Sequence, residues 1–213
     1  QVDVFLGTGG SGHAIPGALV PHGMVRASPD TNRPFGDVSA YAWNDTRIDG
    51  FTHTHLEGPG GSRNGYSQVL LMPGVATDGP PPTSPAGFGA PFDHADEAAG
   101  PGWYSVTLAD SGVHVALTAT AHAAMHRYTF PAGVVPRIYL DLGTSQGSSE
   151  GGHVQVVDAR TLSGRGDYLV HPAVSVAAEF MGEPETGTSR VFASVVVDHD
   201  STGFGVWQGE GAV

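Results

Sequence analysis

Trp103-Tyr104-Ser105-Val106-Thr107-Leu108, Asp110-Ser111-Gly112 and Val113-His114-Val115-Ala116-Leu117-Thr118-Ala119-Thr120 follow one another almost without a gap. Apolar and polar residues alternate at period two on both sides of a Gly-containing turn, which is the pattern of a β-hairpin. Further segments of the same kind flank it. Upstream, Gln68-Val69-Leu70-Leu71-Met72-Pro73 is a short apolar strand that Pro73 should end. Downstream come Met125-His126-Arg127-Tyr128-Thr129-Phe130, Arg137-Ile138-Tyr139-Leu140-Asp141-Leu142 and His153-Val154-Gln155-Val156-Val157. Val174-Ser175-Val176-Ala177-Ala178-Glu179-Phe180 and Val191-Phe192-Ala193-Ser194-Val195-Val196-Val197 complete the series. Only Ala95-Asp96-Glu97-Ala98-Ala99 looks helical, and Gly100-Pro101-Gly102 stops it within a turn. Strand after strand with short Gly-rich connections predicts an all-β fold, an antiparallel sandwich or barrel of many short strands with long Gly/Pro-rich loops.

The 213 residues suffice for one sizeable core and fit a single all-β domain. Gly (32) and Pro (16) are numerous, but they punctuate apolar segments instead of forming tracts, which argues for turns over disorder. The net charge is −12 and every basic residue is Arg. A surface this acidic repels phosphate backbones, which excludes nucleic acid as an expected partner. No apolar run is long enough to span a bilayer as a helix, and no basic amphipathic stretch points to a membrane surface. Cysteine is absent, so disulfides and thiolate metal sites are excluded. No signal peptide is visible, and Gln1 is compatible with the start of a processed chain.

Gly7-Thr8-Gly9-Gly10-Ser11-Gly12-His13 is a glycine cluster, but no strand precedes it, no Lys follows and no helix continues it, so it is not read as a phosphate cradle. His53-Thr54-His55 sets two imidazoles at i and i+2, on one face if the segment is extended. Three readings stand for this pair: hydrogen bonding to vicinal sugar hydroxyls with Thr54, buried structural histidines, or a transition-metal site completed by His13, His94 or a carboxylate. Tyr41 and Trp43 precede it at period two, suited either to stacking on a sugar ring or to the core. Trp103, Tyr104, Tyr128 and Phe130 read as core, and Asp30-Thr31 as a turn cap first and a hydroxyl ligand second. In His126-Arg127 one side chain must face outward, with a salt bridge or domain contact expected. Glu57 has no carboxylate partner of the kind glycoside hydrolysis requires, so the residues support no complete hydrolase.

Several ordered segments resemble glycoside hydrolase family 92. They are Val2-Asp3-Val4-Phe5-Leu6-Gly7-Thr8-Gly9-Gly10 with Gly12-His13 and Pro16-Gly17-Ala18, Pro21-His22-Gly23-Met24-Val25, Ser28-Pro29-Asp30-Thr31 and, most recognisably, Ile48-Asp49-Gly50-Phe51-Thr52-His53-Thr54-His55-Leu56. Pro101-Gly102-Trp103-Tyr104-Ser105-Val106, Leu117-Thr118-Ala119-Thr120, His126-Arg127-Tyr128-Thr129-Phe130-Pro131 and Asp141-Leu142-Gly143 continue the match. The resemblance implies a secreted or periplasmic, calcium-dependent, inverting exo-α-mannosidase acting on mannose-containing glycans. Residues 1–213 would be its amino-terminal β-sandwich domain, its closing strands lying beyond residue 213. A helical toroid, the partner domain absent from this chain, would carry the acid, the base and the calcium ligands.

The resemblance also implies that sandwich loops complete a sugar pocket where the two domains meet. The expected substrate-binding residues are His13, Trp43, His53, Thr54, His55, Glu57, Gly60, Gly61, Ser62 and Arg63, with no catalytic and no metal-binding residue in this chain. Glu57 stands where the family usually has Ser, and Ser62-Arg63-Asn64 replaces a stretch that commonly holds an acid. Arg63 therefore raises a mannosyl phosphodiester as an alternative substrate, since guanidinium pairs with phosphate oxygens. A stand-alone carbohydrate-binding module is the alternative function.

Overall fold

A computed structural model describes residues 2–10, 12–31, 39–55, 66–146, 148–170, 187–208 and 211–212. In chain order the elements are β1 (Ala18–Leu19), β2 (Arg26–Thr31), β3 (Arg47–Thr52), β4 (Leu70–Val75), the single-turn helix α1 (Pro85–Phe88), β5 (Ala90–Pro91), a 3-10 turn at His94–Asp96, β6 (Glu97–Gly100), β7 (Trp103–Thr107), β8 (His114–Ala119) and β9 (Ala124–Thr129). They continue with β10 (Pro136–Asp141), β11 (Ser148–Val156), β12 (Thr161–Val170), β13 (Gly187–Val196), β14 (Trp207–Gln208) and β15 (Gly211–Ala212). All described strand pairs are antiparallel.

Two sheets enclose the core. One is six-stranded, in the order β1-β2-β3-β4-β10 with β5 beside β3, and the other is the four-stranded β6-β7-β8-β9. The first contributes Ile48, Phe51, Leu70 and Met72, and the second Tyr104, Val106, Val115 and Leu117. Phe51 meets Tyr104 across the gap at 6.4 Å between ring centroids. This is a β-sandwich, and burying each such side chain contributes about 1.5–3 kcal/mol. The hairpin is β7–β8, with Val106 opposite Val115, and Gly112 takes φ +67 in its turn, a conformation that favours glycine. A third sheet, β11-β12-β13, hangs from the end of β10, where the Tyr168 hydroxyl donates to the Leu142 carbonyl at 2.7 Å.

The structure corrects several sequence readings. Pro73 lies inside β4 instead of ending it. Beside β4, β3 pairs only through Phe51 and Leu71 and then turns to β5, so a missing N–H at Pro73 breaks no ladder with β3. The helical window around residues 95–99 resolves into the 3-10 turn and β6, because Glu97 pairs with Val106 along β7. Trp103 is 45% exposed, since the face of β7 that points inward carries Tyr104 and Val106. Asp30 and Thr31 end a strand buried along nearly its whole length, not a turn. The strand expected at residues 174–180 lies outside the described residues.

Because Phe51 fills the centre of the inter-sheet gap, Phe51→Ala should cost about 3–5 kcal/mol of stability, read as a lower midpoint in urea denaturation.

Candidate functional site

β2 and β3 are buried on both faces, so their polar residues must find partners inside the protein. They do so at one end. The Thr52 hydroxyl donates to Asp30 Oδ1 at 2.8 Å, and His55 Nε2 meets the same oxygen at 2.8 Å. His55 Nδ1 lies 2.8 Å from the Arg26 carbonyl, and the His55 and Asp30 side chains have no exposure at all. A carbonyl only accepts, so Nδ1 donates to it, while Nε2 faces the Asp30 carboxylate and, at 3.1 Å, the Thr52 hydroxyl. Both nitrogens of His55 are thus engaged by the protein.

His53 turns the other way. The segment after Thr52 leaves the strand, so the two imidazoles do not share a face. His53 Nδ1 donates to the Val69 carbonyl at 2.5 Å, which leaves Nε2 as the acceptor of the neutral ring. That nitrogen is 3.1 Å from His126 Nε2, and His126 Nδ1 is 2.8 Å from the Tyr128 hydroxyl. The directions follow in sequence: Tyr128 donates to His126, His126 to His53, and His53 to a backbone carbonyl. All three rings are neutral in this arrangement. Burial lowers the pKa of His126 to about 3, with a smaller contribution from His53, and burial likewise lowers that of His53. Burial also raises the Tyr128 phenol. Arg127 points outward, while His126 joins this chain instead of a salt bridge.

Opposite His53 and Thr54 the backbone is strained. Ser67 has φ 64 and the β-branched Val69 has φ 58, an unfavourable left-handed conformation. Hydrogen bonds hold it there: His53 N donates to the Gln68 carbonyl (3.0 Å), Ser67 N to the Thr54 carbonyl (2.7 Å) and Gln68 N to the Thr54 hydroxyl (3.0 Å). Over-determined strain of this kind concentrates at functional loops.

A second constellation surrounds Trp43. Its indole stacks on His94 at 3.9 Å between centroids with 9° between the planes, and Phe5 packs against it at 5.3 Å. His94 Nε2 donates to the Trp43 carbonyl at 2.5 Å, and Nδ1 lies 2.7 Å from Glu97 Oε2. The Glu97 side chain is 1% exposed. It also accepts from the Tyr104 hydroxyl at 2.6 Å and the Tyr41 hydroxyl at 2.9 Å. Burial, then the Glu97 carboxylate, pushes both tyrosine phenols up. Tyr41 is therefore core, whereas Trp43 stays 40% exposed. Phe51 joins the two constellations, touching Tyr104 on one side and His126 at 6.5 Å on the other.

Of the expected site residues, His53, Thr54 and His55 form one polar base, and Trp43 sits in the separate aromatic group. His13 is half-buried on the first loop with φ 51. Glu57, Gly60, Gly61, Ser62 and Arg63 lie outside the described residues. Among the described residues no three His, Asp or Glu side chains are grouped as a metal would require. Sequence reasoning missed Glu97, His94 as a stacking partner and His126. Only the His126–Tyr128 spacing within one strand hinted at a shared face.

The sandwich superposes on two solved glycoside hydrolases. A family GH92 α-mannosidase from Bacteroides thetaiotaomicron, solved with mannoimidazole, superposes with a TM-score of 0.71 at 31% identity over 78% of this chain and 22% of its own. A second GH92 glycosyl hydrolase gives 0.70 at 29% identity over 91% of this chain and 25% of its own. A protein of Arthroderma benhamiae described as an uncharacterized secreted glycosidase is 27% identical over 184 residues, 79% of this chain and 23% of its length. The model of the glycosyl hydrolase family 92 N-terminal domain matches residues 1–213. The chain belongs to that family, and it spans about a quarter of the length of these relatives.

The neutral histidine pair gives a pH test. In the unfolded chain His126 takes its proton near its ordinary value of 6.5, but in the fold only near 3. Between these values the unfolded chain holds more protons, so stability falls as pH drops from about 6.5 towards 3, by up to about 1.4 kcal/mol per unit for each ring. His126→Gln removes one of the two titrating rings. Denaturation midpoints measured from pH 7 to 4 should then fall less steeply than in the unmutated protein.

Proposed function

We propose that this chain is the non-catalytic N-terminal domain of an exo-acting α-mannosidase, and that its loops help to form the mannose pocket beside a separate catalytic domain. The observation that carries the reading is the 31% identity to a GH92 α-mannosidase of which this chain covers only 22%. Two buried carboxylates fit a non-catalytic role: Asp30 is held by Thr52 and His55, and Glu97 by two tyrosines and His94. Within this reading Glu57, Gly60, Gly61, Ser62 and Arg63 contact the sugar, and the hydrogen bonds of His53, Thr54 and His55 fix the backbone that precedes them. The ring nitrogens of both histidines already have protein partners, so within this reading these rings fix the backbone of residues 53–55. His13 and Trp43 supply contact from the first loop and the aromatic group.

The intact enzyme is taken to be inverting, calcium-dependent and secreted or periplasmic, consistent with a relative called secreted. Calcium is assigned to the catalytic domain, where the family resemblance puts its ligands. The exposed indole of Trp43 favours one second reading, a carbohydrate-binding module that holds mannosides on its own.

The test is calorimetric titration of methyl α-mannoside and an α-linked mannobiose into the chain, with and without calcium, alongside an assay for released mannose. The expected outcome is no cleavage and no saturable binding. Saturable binding without cleavage selects the binding-module reading, and cleavage that survives repurification overturns the proposal.

A further inference from the structure

We infer that His94, anchored by Glu97, is the positioning residue that holds the Trp43 indole ready as a stacking platform for a pyranose ring. This rests on the proposed reading of Trp43 as a sugar contact and adds the device that makes the contact effective. An exposed tryptophan on a turn normally samples several side-chain rotamers, and a sugar that stacks on it must first select one. Freezing the ring beforehand removes that cost from binding.

The structure freezes it unusually fully. One imidazole grips Trp43 at two places: its ring centroid lies 3.9 Å from that of the indole, nearly parallel, and its Nε2 donates to the carbonyl of the same residue. Phe5 closes a further side, and the Trp43 amide donates to the Thr8 carbonyl at 3.0 Å. His94 cannot swing away, because its Nδ1 is tied to Glu97, and Phe92 stands edge-on to it at 5.2 Å. Glu97 in turn cannot move, because Tyr41 and Tyr104 both donate to it inside the core. The platform is thus connected to the sandwich core by hydrogen bonds and one ring stack. The ligand class follows from the chemistry. A rigid indole, partly exposed at 40%, suits the apolar CH patch of a mannopyranoside better than a charged group.

The experiment uses the intact polypeptide and an aryl α-mannoside, with kcat and KM measured separately for Trp43→Ala, His94→Ala and His94→Phe. His94→Phe keeps a ring under the indole without the two hydrogen bonds. Trp43→Ala should raise KM about tenfold, equal to about 1.4 kcal/mol of lost binding, with kcat within about twofold. His94→Ala should reproduce most of that rise, and His94→Phe should recover the larger part. A loss of folded enzyme would lower kcat and leave KM alone, so the split separates positioning from stability. If Trp43→Ala leaves KM unchanged, Trp43 is no platform and the inference falls together with that part of the proposed function. If Trp43→Ala raises KM and His94→Ala does not, the platform stands and the positioning role is overturned. The unmutated protein gives an independent check by NMR. In the intact polypeptide, saturating methyl α-mannoside should shift the Trp43 and His94 ring resonances together, and movement of Trp43 alone counts against the inference.

Discussion

A carboxylate sealed between two sheets has to be met by donors, because leaving it bare would cost several kcal/mol. Glu97 is that carboxylate, and meeting its needs fixes much else. Tyr104 must face inward from β7. Tyr41 must come down from the connection between β2 and β3, which pins that connection onto the four-stranded sheet. His94 must lie at the rim, and Trp43 follows it. Asp30 imposes the same demand inside the six-stranded sheet, where Thr52 and His55 answer it. Apolar packing holds the sandwich together, but these two acids decide which loops sit where.

How much was visible in the sequence depended on how each strand is covered. β7, β8 and β9 bury one face, so their residues alternate and the hairpin could be read directly. β2 and β3 are covered on both faces, and Arg26-Ala27-Ser28-Pro29-Asp30-Thr31 and Arg47-Ile48-Asp49-Gly50-Phe51-Thr52 show neither alternation nor an apolar run. Their polar members are tolerated only because of partners far along the chain, and no local pattern reveals such partners. The same holds for Tyr41 and Glu97, which are 56 positions apart.

The histidine pair was found by its spacing but not understood by it. His53 and His55 were expected to act together if the chain stayed extended. Instead the chain leaves the strand at that point, one ring reaching into the other sheet and the other into its own. Spacing rules assume a regular backbone, and loops that carry function tend to break that assumption. The family resemblance rested on the sequence around these residues, while their division of labour became clear only from the hydrogen bonds.

Phe51 touches a ring of each constellation, Tyr104 of the glutamate group and His126 of the histidine chain. Neither neighbour can change size without opening or crowding the space of the other. Over evolutionary time the three positions are therefore bound into one unit of inheritance. Descendants of this sequence should keep all three residues or exchange them in concert, and the record of substitutions at position 51 should mirror those at 104 and 126.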